Sequence, residues 1–202
     1  MNHTRRLIVA GLALVVFAVP GAAALGAGLG HGSHGPTLPQ QVRDATRKYK
    51  DVNAAIADGY VSLGMCVSSP EEGAMGVHFA KSALIGDDKV VADEPELLIY
   101  EPHNGKYKLV GVEYLLLAAN WDAANPADPP MLVGQLLQFV NAPNRYRLPA
   151  FYELHVWAWK NNPKGTFSDF NPAVSCVDYT GWGRRPVQAP TPDRRSASSP
   201  ST

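Results

Sequence analysis

Three titratable residues interrupt apolar stretches of this 202-residue chain, and their types suit metal chemistry. They are His78, Glu113 and His155. Two imidazoles and one carboxylate form a known ligand set for divalent metals such as Zn, Cu, Fe or Mn, and it leaves positions open for water or substrate. A carboxylate buried alone is costly, so Glu113 needs a cation, a proton or a hydrogen-bond donor beside it. We therefore take these three residues as candidate metal ligands.

The same groups allow two other interpretations. Histidine titrates near neutral pH, so a His/Glu pair could act as acid and base without a metal, as in a hydrolase or isomerase. Alternatively, Glu113 could hydrogen-bond His155 or Tyr152 and only hold the sheet together. Glu153 shares a predicted strand face with His155. The sequence alone does not show which of these groups converge, and it leaves open whether the protein is an enzyme.

Neither motifs nor charge identify a known reaction. The chain lacks GxSxG, P-loop, HExxH, haem-attachment and dinucleotide-binding patterns. It has 18 basic and 18 acidic residues, of which 12 basic and 17 acidic lie within residues 37–183. An acidic surface repels phosphate backbones, so we expect no nucleic-acid partner. A divalent metal is the only cofactor that the sequence indicates.

The N-terminus has the features of an export signal. Arg5 and Arg6 precede an apolar run from residue 7 to 19, and Ala22–Ala24 supplies small residues for cleavage. Residues 1–24 are therefore predicted to be a signal peptide, of either the general secretory or the twin-arginine type. An uncleaved N-terminal anchor is the alternative. We expect an exported protein, located in the periplasm, in the cell envelope or outside the cell.

The rest of the chain divides into three parts by composition. Residues 25–36 form a linker rich in Gly and His, 37–183 a single globular domain, and 184–202 a polar tail predicted to be disordered. Once the leader is removed, no stable membrane span is expected. A small ligand or an envelope protein remains possible as a partner.

The two cysteines lie near opposite ends of the predicted domain. Because disulfides persist outside the cytoplasm, Cys66 and Cys176 are predicted to form one bridge. A shared metal site or two free thiols are the alternatives. Neither cysteine has a nearby CxxC or CxxH partner, so the pair is a poor zinc signature.

The elements that must position the candidate ligands follow from periodicity and turn residues. Apolar residues recur at helical spacing in an N-terminal amphipathic helix: Val42, Ala45, Tyr49, Val52 and Ile56. Strands are predicted at 75–80, 96–102, 107–117 and 151–159. We therefore predict an α+β fold, with one N-terminal amphipathic helix on a mostly antiparallel sheet that can close fully or partly into a barrel and has long loops. Residues 131–140 are ambiguous between strand and helix.

An Asn-Gly pair predicts the central hairpin. Asn104-Gly105 lies between two apolar runs, which is the strongest short-range hairpin signal in a sequence. A two-residue turn there places Glu101 opposite Lys108, a favourable cross-strand pair. His103, beside this turn, is predicted to be exposed.

Four motif blocks give the chain a family resemblance: GAMGVHF (73–79), LIYEP (98–102), LVGVEY (109–114) and ELHVWAW (153–159). They resemble the motif blocks of a group of uncharacterised exported bacterial proteins. The resemblance covers about residues 40–178 and implies export and these domain limits. It implies no catalytic assignment.

Together these observations predict an exported soluble protein with a His/Glu divalent-metal site. Two alternatives stay open. One is a non-catalytic module that binds a small ligand or an envelope partner, and the other is a metal-free acid–base enzyme.

Overall fold

The computed structural model describes residues 35–181. The predicted leader (1–24), the tail (184–202) and all but the last two residues of the linker (25–36) lie outside the described residues. Within residues 35–181 the chain is α+β, with a mostly antiparallel sheet that curls into a half-barrel and a few short helices. The predicted fold class is confirmed.

The main sheet contains six strands in the order β1-β2-β3-β4-β8-β7, and each strand is antiparallel to its neighbours. A separate two-stranded hairpin is formed by β5 and β6. The strands are β1 Val61–Ser69, β2 Gly73–Ala80, β3 Leu97–His103, β4 Lys106–Leu117, β5 Met131–Leu132, β6 Gln135–Leu136, β7 Gln138–Val140 and β8 Phe151–Val156.

The four predicted strands correspond to β2, β3, β4 and β8, although β8 ends earlier than expected. The sequence did not predict β1, an edge strand that is mostly exposed or half-buried. Gly64 interrupts its alternation with a positive φ of 76°, and the pairing with β2 shifts register between Ser62 and Cys66. The ambiguous stretch 131–140 forms three very short strands, β5 to β7. Weak alternation explains why these strands were missed.

The central hairpin forms as predicted. Asn104 and Gly105 both adopt positive φ, at 49° and 72°, which is the geometry of a turn whose twist matches the strands. Glu101 pairs with Lys108 in register. Its carboxylate, however, accepts hydrogen bonds from the Lys160 ammonium at 2.8 and 2.7 Å.

The predicted N-terminal helix is broken into two α-helices, α1 (Leu38–Thr46) and α2 (Val52–Ala57), joined by a 3₁₀ turn at Arg47–Lys50. Asp51 begins α2, because its carboxylate accepts a hydrogen bond from the backbone N–H of Asn53. This break shifts the helical phase, so Ile56 is 42% exposed although it was assigned to the buried stripe. Two further short helices are α3 (Ser82–Ile85) and α4 (Ala118–Ala124).

The two faces of the sheet are covered differently. The helix-covered face carries the largest apolar core, in which residues of α1 and α2 pack on alternate residues of β2, β3, β4 and β8. The opposite face carries two smaller apolar clusters. One contains Ile99, Val110 and Trp157, and the other contains Leu97 and Phe151. The candidate ligands also lie on this opposite face.

A closing segment, residues 166–179, covers part of the opposite face without regular secondary structure, as expected from its composition. A disulfide between Cys66 and Cys176 ties the segment to β1 and confirms the predicted bridge. Asn171 forms an isolated bridge with Ala74 on β2. Within residues 35–181, no helix combines the length and apolar character needed to cross a membrane.

Candidate functional site

Three strands of the sheet place the candidate ligands on one face. Glu113 on β4 lies directly opposite His155 on β8. On the other side of β4, Glu113 lies opposite Leu97 of β3. His78 is on β2, paired with Ile99 of β3. His78 must therefore reach across β3 to meet Glu113, and the curl of the sheet directs side chains of this face toward one another.

The ligand atoms of the three residues converge within 4.8 Å of one another. His78 Nε2 is 3.1 Å from Glu113 Oε2, and His155 Nε2 is 3.8 Å from the same oxygen. Atoms bound about 2.1 Å from a metal lie about 3.0 Å apart in octahedral and about 3.4 Å apart in tetrahedral coordination. The 3.1 Å separation lies within this range and the 3.8 Å separation exceeds it by about 0.4 Å, so the three groups can share one ion after small side-chain adjustments.

These ligand atoms have no hydrogen-bond partners although they are buried. Seven buried side-chain N or O atoms within residues 35–181 lack a partner, and six of them are the ring nitrogens of His78 and His155 and the carboxylate oxygens of Glu113. The short contact between His78 and Glu113 does not have hydrogen-bond geometry. Buried polar groups in proteins are normally satisfied, so this concentration of unpaired atoms needs an explanation.

Burial shifts the protonation of the two imidazoles in the direction that suits metal binding at neutral pH. It lowers the pKa of His78 to about 4 and holds the pKa of His155 well below its usual range. Burial also raises the pKa of Glu113 to about 7. Both imidazoles are therefore neutral at pH 7 and have lone pairs to donate, whereas a cation that binds Glu113 must displace its proton.

We refer to His78, Glu113 and His155 together as the trio. Sequence reasoning missed two residues beside it, Asp169 and Arg145. Asp169 Oδ1 is 3.7 Å from His155 Nδ1, on the ring edge that faces away from Glu113. Arg145 lies close enough to lower the pKa of Glu113, although burial is the larger influence. Both residues come from segments without strand or helix periodicity, so no pattern pointed to them. Glu153, noted for its strand face, joins His155 and Asp169 in a second group of potential ligands.

Aromatic and sulfur groups form the walls of the site. The Tyr146 ring lies edge-on to His78 with centroids 5.9 Å apart, and Trp157 stacks on His155 at 6.4 Å. The Arg145 guanidinium donates a hydrogen bond to the Met75 sulfur at 2.9 Å. These contacts fix ring orientation and keep the trio out of bulk water, which strengthens electrostatic interactions inside.

A cleft of about 270 Å³ lies beside the cluster, with Glu153, Asp169, Arg145 and Tyr146 in its walls. The side chain of Asp169 is 28% exposed, whereas those of His78 and Glu113 are 1% and 0% exposed. Solvent therefore reaches the edge of the cluster at Asp169 and not the trio itself.

Two predicted alternatives can be compared with the geometry. Tyr152 does not reach Glu113, because its hydroxyl donates a hydrogen bond to Asp122 at 2.9 Å. The side chains that β8 directs to the face of the trio here are those of the neighbouring residues, Phe151 and Glu153. His155 approaches Glu113 without hydrogen-bonding it. His103 is exposed as predicted, with its ring near Asp178 and outside the cluster.

Comparison with known proteins found no family model, no curated protein and no solved structure that matches this chain.

Proposed function

We propose that the protein binds a divalent transition metal through His78, Glu113 and His155. The observation that carries this proposal is that six of the seven unpaired buried polar atoms within residues 35–181 belong to these three side chains. Leaving such atoms unpaired costs about 1–3 kcal/mol each. A bound cation compensates that cost, since it would take a lone pair from each group.

A purely structural role for the trio explains the geometry less well. Structural polar clusters stabilise a core by hydrogen-bonding one another, and a partly satisfied cluster is worse than an apolar core. Here the closest pair, His78 and Glu113, makes no hydrogen bond. The cluster is therefore better explained as a ligand set than as a device for holding the sheet.

The donor atoms narrow the class of metal. Two imidazole nitrogens favour Zn, Cu, Fe or Mn over Ca or Mg, which prefer all-oxygen sites. Three protein ligands leave at least one coordination position for water or a substrate, as in catalytic rather than structural zinc sites. A metalloenzyme is thus compatible with the donor set. The reaction is not assigned.

We also propose that this centre works outside the cytoplasm. The Cys66–Cys176 disulfide supports that location, because such bonds persist in oxidising compartments. The leader-like sequence of residues 1–24 points the same way.

The test is metal binding by the Glu113→Gln variant, which keeps the side-chain shape and removes the charge. Protein without an affinity tag is titrated with Zn²⁺ by calorimetry, and its metal content is measured by elemental analysis. His31 and His34 of the linker are replaced by Ala throughout, because they offer a separate chelating pair. We expect the affinity of the parent protein for its tightly bound Zn²⁺ to fall at least about 100-fold in Glu113→Gln. Losing a residue that only hydrogen-bonds a metal ligand lowers affinity by about 10–100-fold, and losing a ligand should cost at least as much.

The matched control is Glu101→Gln, the same chemical change at another buried carboxylate of the sheet. It should leave Zn²⁺ affinity unchanged. If the parent protein binds no Zn²⁺, Cu²⁺, Fe²⁺ or Mn²⁺, the proposal fails. Equal affinity in the parent protein and Glu113→Gln would also remove Glu113 from the site.

A further inference from the structure

The two ring nitrogens of His155 face two different carboxylates. Nε2 lies 3.8 Å from Glu113 Oε2, and Nδ1 lies 3.7 Å from Asp169 Oδ1. Both nitrogens are buried, and neither has a hydrogen-bond partner. When a carboxylate only orients a metal-binding histidine, it accepts the hydrogen bond of the remote nitrogen, at about 2.7–2.9 Å. At 3.7 Å Asp169 is too distant for that bond, and the spacing resembles that of two ligands of one ion.

Glu153 completes a group on the Nδ1 side of the ring. Ligand atoms of Glu153, His155 and Asp169 all lie within 4.8 Å of one another. Glu153 is 4% exposed and Asp169 is half-buried, so both carboxylates are largely removed from water. Together with Glu113 they place three carboxyl groups in a small volume.

The protein's own cation does not fill this space. Arg145 is the nearest basic side chain, but its guanidinium donates to the Met75 sulfur and lies over the rings of Tyr146 and Phe170. No ion pair within 4.0 Å joins Arg145 to a carboxylate among residues 35–181. The space between Glu153, Asp169 and the ring of His155 is also beside the cleft, whose walls include both carboxylates.

We infer that Glu153, Asp169 and Nδ1 of His155 form a second divalent-cation position, next to the cleft. This inference rests on the proposed function, because His155 then lies between an inner cation on Nε2 and an outer cation on Nδ1. Neutral imidazole has one N–H, so binding a metal at both nitrogens releases that proton to solvent and leaves a bridging imidazolate. The outer cation keeps water ligands from the cleft and exchanges faster than the inner one.

The experiment counts cations in the chain that lacks the linker histidines, His31→Ala/His34→Ala. Zn²⁺ calorimetry should give two equivalents, the second at least about tenfold weaker, because His155 already serves the inner cation, which repels a second one, and Asp169 is partly exposed to water. Asp169→Asn should lose the weaker equivalent and keep the tight one. Glu153→Gln serves as a second variant if Asp169→Asn disturbs the fold, which near-UV circular dichroism reports.

Copper provides a signature that a merely orienting Asp169 does not produce. Two Cu²⁺ ions joined by an imidazolate couple magnetically, so the EPR intensity of the doubly loaded protein should fall below two spins per chain. In Asp169→Asn the intensity should be one full spin, from the inner ion. Asp44→Asn is the matched control, since this exposed carboxylate pairs only with Arg47 and should leave both equivalents in place.

The possible outcomes separate this inference from the proposed function. In one outcome the protein binds a single tight Zn²⁺ equivalent, which Glu113→Gln removes and Asp169→Asn merely weakens. This result would overturn the second cation position and would support the inner site. Two equivalents with a full two-spin EPR signal overturn the bridging role of His155. No bound metal at all overturns both proposals.

Discussion

Two buried carboxylates on neighbouring strands of the sheet have opposite surroundings. Glu101 on β3 accepts hydrogen bonds from the Lys160 ammonium at 2.8 and 2.7 Å and from the backbone N–H of Ser175 at 3.1 Å. Glu113 on β4 is fully buried, and neither of its oxygens has a hydrogen-bond partner. Its neighbours are two neutral imidazoles and the carboxyl group of Glu153, which can hydrogen-bond Glu113 only when one of the two carboxyl groups is protonated.

The difference indicates that the chain can satisfy a buried carboxylate and does so where the carboxylate is structural. The helix-covered face supports this conclusion, because three buried tyrosines there each donate to a backbone carbonyl. Tyr60 donates to Pro95, Tyr100 to Tyr49 and Tyr114 to Ala92. Unpaired atoms are concentrated at the His78, Glu113 and His155 cluster, which is what a ligand set requires.

The largest expected effect comes from removing the Cys66–Cys176 disulfide. This bond anchors the closing segment, whose Ser175 backbone N–H donates a hydrogen bond to Glu101. Cys66 and Cys176 are 110 residues apart, and closing a loop of that size stabilises by about 5 kcal/mol in the chain-entropy model. The Cys66→Ser/Cys176→Ser variant should lose about that much unfolding free energy in urea titrations. Zn²⁺ affinity of the trio should change little, because its ligands lie on β2, β4 and β8. A parallel collapse of Zn²⁺ affinity would mean that the two regions are not separable.

The next effect is a pH dependence specific to Glu113 in the metal-free protein. Burial raises the pKa of Glu113 from 4.5 to about 7, so folding favours its protonated form. The resulting stabilisation is complete below about pH 4.5 and is lost as the pH rises through about 7, a change of about 3 kcal/mol. Relative to wild type, Glu113→Gln should therefore gain about 3 kcal/mol between pH 4 and pH 8.

The comparison with Glu113→Gln removes that carboxyl group together with its effect on Glu153, whose pKa is raised to about 9 by burial and by Glu113. His78, whose pKa burial lowers to about 4, contributes stability above pH 6.5 that is lost as the pH falls toward 4. Both proteins contain His78, so its contribution cancels in the difference. Urea unfolding in the presence of a chelator measures the free energy at each pH. A difference between the two proteins that is independent of pH would show that Glu113 is not buried as a carboxyl group.

A smaller effect is expected for Glu101→Gln. The substitution leaves the largely buried Lys160 ammonium without its anion and weakens the bond from Ser175, so it should cost about 1–3 kcal/mol. At pH 5 the metal-free Glu113→Gln variant should cost less than this, since Glu113 has no ammonium or backbone N–H partner to lose and its Gln replacement can still hydrogen-bond Glu153. Thermal unfolding at that pH compares the two variants directly. The reverse ranking would identify Glu113 as the structural residue.

The smallest effect is expected on the helix-covered face. Tyr100→Phe removes a hydroxyl that donates to the carbonyl of Tyr49 at 2.7 Å, and it should cost about 1 kcal/mol. Zn²⁺ binding should be unchanged, since this face lies behind the sheet from the trio. Measured loss of Zn²⁺ affinity in Tyr100→Phe would show that the two faces are energetically coupled.

The sequence predicted those parts of the fold that local patterns encode. The Asn104-Gly105 turn sets the register of β3 and β4, because few residue pairs adopt positive φ at both positions. Strong apolar alternation predicted β2, β3, β4 and β8. The N-terminal helix was only partly right, since the cap at Asp51 starts a new helix and turns Ile56 outward. The weakly patterned β1 was missed, and the stretch that forms β5 to β7 was left ambiguous between strand and helix.

The sequence by itself also determined which residue types the site could use, because a carboxylate and two imidazoles within apolar strands are costly unless they bind something. Only the tertiary structure decided that they meet. His78 is separated from Glu113 by a whole strand, and the curl of the sheet closes that distance. The structure alone brought in Asp169 and Arg145, because irregular segments have no periodicity from which their position could be read. Local sequence fixes the face on which a side chain lies, whereas curvature and loop packing fix its neighbours.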